Sequence, residues 1–169
     1  MWLWMACADC FVGLGMWVTH WAGHRHIIPG WFEFHTIGHH VKGYPPARFL
    51  TERYASTEGV RKGKRHTVFD MNAAMYLPWP FIIGAAHRAL AGTTHAETAL
   101  CLLVSLALIA ENEYMHVQVH TLGSRWEGRG WFEVMRRLHF LHHKEGMHHN
   151  YAMADFLFDF LSGNLMNLY

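Results

Sequence analysis

The chain has 169 residues, of which 51% are hydrophobic, 15% aromatic and 16% charged, with a formal net charge of +1. That length suits one domain, 1–169, and the composition excludes a disordered chain, a coiled coil and a basic nucleic-acid-binding module. Sixteen histidines exceed both the 13 acids and the 14 Lys and Arg, which points to imidazole chemistry.

The first apolar stretch, about 1–19, contains Asp9 and the pair Cys7 and Cys10. Three cysteines make no disulfide framework. A Cys-x-x-Cys with no second pair, inside an apolar run, reads as packing and not as zinc or redox chemistry. No Lys or Arg precedes Arg25, and no small-residue cleavage site leads into a polar chain, so the stretch reads as a helix and not as a secretory signal. Between 43 and 70, Pro45, Pro46, Gly59 and Gly63 predict a solvated loop or short amphipathic helix. Its basic run Arg61, Lys62, Lys64 and Arg65 suits an acidic electron donor or anionic headgroups, and equally a plain topology signal.

Two more apolar stretches follow, about 73–91, with Pro78 and Pro80 inside it, and about 96–114. A membrane span needs about 20 mostly apolar residues, and buried helices of a soluble bundle are the alternative. Charge placement favours the membrane. Eight of the Lys and Arg lie between Arg25 and Arg65, five between Arg125 and Lys144, and Arg88 is the other. If the second and third stretches form a hairpin around Gly92 to His95, both basic blocks fall on one side, which the positive-inside rule makes cytoplasmic. The histidines then gather at that side too, His95 excepted.

Four motifs hold most of those histidines: His20 and His24; His35, His39 and His40; His116 and His120; His139, His142 and His143. Residues three and four apart share a helix face, so each motif presents imidazoles in one direction. Ten nitrogen donors exceed what one tetrahedral zinc uses and suit two metals with room for an exogenous ligand. Ionisable groups near a bilayer are expensive and usually functional, which favours metal binding over isolated core histidines. His148 and His149 follow closely enough to support or replace a ligand, whereas His26, His66, His87 and His95 read as surface or interfacial. Asp155, Asp159, Glu113 and Glu111 are acceptors that orient ligand imidazoles, or else polar helix surface.

A soluble carboxylate-bridged di-iron bundle needs Glu-x-x-His on two helices. Glu113 to His116 and Glu145 to His148 have that spacing, but Gly146 sits inside the second copy after a helix-ending pattern.

The motif order, with an apolar hairpin between the second and third motifs, resembles the fatty acid hydroxylase and sterol desaturase superfamily of integral-membrane, non-haem di-iron enzymes. The residues carrying the resemblance are His-x-x-x-His-Thr from His116, an arginine-rich stretch, His-x-x-His-His from His139, Asn150-Tyr151, and Phe158-Asp159 before Gly163. It covers about residues 17–164. Two departures stand out: three residues separate His35 from His39 where the family usually has two, and Phe158-Asp159 replaces a Trp-Asp. The resemblance implies an all-α membrane helical bundle whose cytoplasmic face holds a histidine-rich di-metal site. It further implies two iron ions, O2 as co-substrate, and hydroxylation or desaturation of an aliphatic C–H in a fatty acyl chain or sterol. A carotenoid ring is the alternative substrate. The implied electron donor is a cytochrome b5 or ferredoxin-type protein. Readings of another class are a haem-binding membrane protein, which wants single histidines inside spans, and a metal transporter, which wants polar groups at the midplane.

Overall fold

The computed structural model describes residues 2–50, 72–145, 147–152 and 156–166. In chain order it has α1 (Trp2–Gly23), α2 (Glu33–Gly43), a 3₁₀ turn (Pro46–Arg48), α3 (Asn72–Tyr76), α4 (Pro78–Ala91), α5 (His95–Val119), α6 (Gly130–Lys144) and α7 (Leu157–Leu161). No strand occurs among the described residues, so the fold is all-α.

The boundaries follow local chemistry. With no breaker between Thr19 and Gly23, α1 continues a turn past the expected end at 19. The expected 73–91 helix divides at Leu77, because Pro78 has no N–H to bond backward and starts α4 instead. Gly92, at φ 61°, closes α4 with its N–H on the Arg88 carbonyl at 3.1 Å. Two residues on, Thr94 and Glu97 form a reciprocal capping box that opens α5. That helix runs past the expected 114 to Val119.

Helices α1, α4 and α5 pack on one another. Val12, Ile83 and Ile109 form their shared core together with Tyr76 of α3, with Met16 and Trp79 against it. Gly15 permits this approach, since a Cβ there would overlap the Trp79 indole, whose Nε1–H donates to Thr19 Oγ1 at 2.8 Å. A second core of Met115, Val119, Phe132 and Met135 joins α5 to α6.

The outward faces of the three packed helices stay apolar, with Phe81 at 64% and Leu90 at 88% exposure. Of the three expected apolar stretches, α5 is the described helix long and apolar enough to cross a membrane by length and composition. Its 25 residues reach about 37 Å at the α-helical rise. Cys10 is exposed on α1 and not packed as expected, while the Cys7 side chain lies outside the described ones. So do His66 and the run Arg61, Lys62, Lys64 and Arg65.

Candidate metal centre

Four segments deliver the imidazoles. His20 and His24 come from the end of α1, His116 and His120 from the end of α5, and His139, His142 and His143 from the last turns of α6. The second motif is delivered differently, because α2 is wound as a π-helix, with bonds such as Tyr44 N–H to His39 O at 2.7 Å. In an α-helix, residues five apart diverge by about 140°. A π-turn of about 4.4 residues brings positions four and five apart to either side of the first. His35, His39 and His40 therefore share one face, and His40 Nε2 lies 3.2 Å from His35 Nε2. The extra residue in this motif is accommodated by that winding.

All ten predicted histidines are buried. One group joins His20, His24, His35, His40 and His142; a second joins His39, His116, His120 and His139; His143 meets His39 and His40 between them. Within each group the ligand atoms lie within 4.8 Å of one another, a placement able to hold metal ions.

Backbone and hydroxyl partners fix which nitrogens are bare. His142 Nδ1–H donates to the His149 carbonyl at 2.6 Å, and His20 Nδ1–H donates to the Tyr151 carbonyl. Thr36 spends its one hydroxyl proton on the Gly23 carbonyl at 2.9 Å, so it accepts from His24 Nδ1–H at 3.0 Å. A neutral imidazole carries one proton, which leaves Nε2 of His20, His24 and His142 as lone-pair acceptors. Yet His24 Nε2 and His142 Nε2 face each other at 3.0 Å, and His20 Nε2 is buried with no hydrogen-bond partner.

The second group repeats the pattern. His120 Nδ1–H donates to the Phe49 carbonyl at 3.0 Å and His143 Nδ1–H to the Tyr44 carbonyl at 2.8 Å. Their bare Nε2 atoms both face His139 Nε2, at 3.0 and 3.1 Å. A single proton on His139 serves one of them well. A further contact, His116 Nε2 to His39 Nε2, is 3.1 Å.

Facing lone pairs repel unless a cation lies between them, and a proton is a poor choice here. Burial first, then the neighbouring imidazoles, hold His24, His39, His40, His139 and His143 well below the ordinary histidine range. Burial likewise lowers His142 to about 3, against the raising effect of the His149 carbonyl. Neutral imidazoles with bare, convergent nitrogens are the protonation state that metal binding requires. Nitrogens bound at about 2.1 Å sit about 3.0 Å apart at right angles and about 3.4 Å apart at the tetrahedral angle. The 3.0–3.2 Å contacts are of the size that nitrogens sharing one metal ion require.

The expected supports divide. Asp159 is buried and accepts from Trp17 Nε1–H at 2.9 Å, Tyr151 N–H at 2.9 Å and Ala152 N–H at 2.7 Å. It thereby fixes the peptide whose carbonyl receives His20. Glu113 is buried with its carboxylate 4.0 Å from His116 Nδ1. Glu111 is exposed on α5, which selects the polar-surface alternative over an imidazole acceptor. Asp155 lies outside the described residues. His148 is exposed, and His149 contributes its backbone carbonyl; neither ring is in a metal group. Glu145 caps α6 beyond its last turn, so no second helical Glu-x-x-His exists there. His26 and His95 are exposed as expected and His87 is half-buried.

Sequence reasoning missed Thr36, Tyr44 and Phe49. Tyr44 stacks on His120 at 3.9 Å, and Phe49 lies 4.6 Å from the same ring. Aromatics just after the second motif were the available signal. Carbonyl acceptors leave no mark on side-chain identity, so those at Phe49 and His149 had none. Comparison with family models, curated proteins and solved structures returns no match.

Proposed function

We propose that the chain is a membrane-embedded, O2-dependent non-haem di-iron oxidoreductase that hydroxylates or desaturates an aliphatic C–H of a lipid, such as a fatty acyl chain or sterol. The observation that carries this reading is the pair of adjoining buried imidazole groups whose Nε2 atoms converge, with bare Nε2 atoms of His24 and His142 facing each other. His20, His24, His35, His40 and His142 would hold one iron, and His39, His116, His120 and His139 the other, with His143 between them. Bound iron supplies the oxidising power that an unactivated C–H demands, with electrons from a cytochrome b5 or ferredoxin-type donor.

The protein's own share is positioning. Carbonyls of Tyr44, Phe49, His149 and Tyr151 lock four imidazole tautomers, and the rings of Tyr44, Phe49 and Tyr151 exclude water from the groups. The long apolar α5 and the apolar outward faces of α1 and α4 favour burial in lipid, and the two basic blocks favour a site at the cytoplasmic face. Cells making the chain, grown under ¹⁸O2 and compared with cells making His142→Ala, His143→Ala, test the reaction by mass spectrometry of extracted lipids. The expected result is a labelled hydroxylated lipid, or one two hydrogens lighter, present with the chain and lost with the variant. Identical lipid profiles across sterol, fatty acyl and carotenoid fractions would refute the reading.

A further inference from the structure

The connection that follows α5 carries an exposed cluster that the metal centre does not use. Arg125 lies 4.7 Å over the Trp126 ring and 5.5 Å from the Tyr114 ring, and Arg129 lies 5.4 Å from the Trp126 ring. Trp126 in turn packs edge-on against Trp131 at 5.5 Å. Both arginines are exposed, as are Leu122, Val134 and, at 49%, Trp131. The neighbouring acids Glu127 and Glu133 are exposed too but already engaged: Glu127 accepts from Arg136 and from Gly123 N–H, and Glu133 from Gly128 N–H.

We propose that this 122–134 surface docks on anionic lipid headgroups, with Arg125 and Arg129 on the phosphates and Trp126, Trp131 and Leu122 at the level of the glycerol. The inference rests on the membrane reading above. Three features select this occupant. The surface begins three residues after α5, the helix suited to span, ends at Val119, which is where a headgroup layer would lie. Its cations are held on aromatic faces, and a planar guanidinium keeps its donors in its own plane, so they are placed for phosphate oxygens. An exposed Trp131 and a half-buried Trp126 beside arginines match an interface that is apolar on one side and anionic on the other, which an acidic protein surface is not. The same segment leads into α6, whose inward face carries His139, His142 and His143. Headgroup contact therefore sets the depth of the helix that supplies three ligands.

The test uses the full chain in neutral detergent, titrated with phosphatidylglycerol and separately with phosphatidylcholine, with bound lipid counted by native mass spectrometry. Phosphatidylglycerol is expected to bind more tightly. Arg125→Gln, Arg129→Gln should weaken it roughly 30-fold, at unchanged circular dichroism and iron content. Arg88→Gln, at the far end of the α4–α5 hairpin, should leave it unchanged. Equal affinity for the two lipids, undiminished phosphatidylglycerol binding in the double variant, or an equal loss in Arg88→Gln would overturn the proposal. Release of the chain from cell membranes by alkaline carbonate would instead overturn the spanning reading, a result read independently of the arginines.

Discussion

Asp159→Asn probes how the protein sets its ligands, because the carboxylate acts on a metal-facing ring through one peptide. Its oxygens accept from Trp17 Nε1–H, Tyr151 N–H and Ala152 N–H, and the Tyr151 carbonyl receives His20 Nδ1–H. An amide of the same shape keeps one acceptor oxygen and turns an NH2 toward at least one buried donor. Losing a hydrogen bond to a charged acceptor, with its donor stranded, costs about 2–3 kcal/mol. Disturbing the partner of a ligand imidazole lowers metal affinity about 10–100-fold. Chemical denaturation in detergent reads the first effect and iron titration of the apo chain the second. The iron loss should fall on the group containing His20 and spare the group containing His116. Trp17→Phe is the control: it removes one of the same hydrogen bonds, by about 1–2 kcal/mol, without moving the Tyr151 peptide. Asp159→Asn binding both irons as tightly as the parent, while losing stability, would show that Asp159 only braces the C-terminal segment.

Thr36→Val removes the acceptor that fixes the His24 tautomer, so iron affinity should drop about 10-fold and return with Thr36→Ser; a Val variant matching the parent in titration would contradict the tautomer assignment. Acid should destabilise the apo chain: His39, His40, His139 and His143 titrate below their ordinary value in the folded state, so the unfolded state takes up more protons. Stability is then whole above about pH 6.5 and falls below it by about 1.4 kcal/mol per pH unit for each such histidine, and a melting temperature that stays flat through that window would mean the rings are solvated. Gly15→Ala should cost about 1–3 kcal/mol by pushing Trp79 off α1, read as a lower melting temperature with iron stoichiometry unchanged; an unaltered melting temperature would show that the helices part without strain.

The histidine motifs on α1, α5 and α6 were legible because a spacing of three or four is the α-helical period itself. Gly92 and the polar residues up to His95 likewise marked the hairpin. The second motif was only half legible. An α-helical reading pairs His35 with His39 and turns His40 aside, and side-chain spacing does not announce the π-winding that gathers all three. Glu111 and Glu113 looked alike in sequence, yet two positions on a helix are about 200° apart, so one is exposed and the other buried beside His116. Pro78 was visible as an interruption, but not that it would start a helix of only 14 residues.

Metal analysis of the detergent-purified chain decides whether the convergent imidazoles hold two irons. About two irons per polypeptide are expected, lost in His142→Ala, His143→Ala. One zinc per chain, or metal kept by the variant, would contradict the two-iron centre.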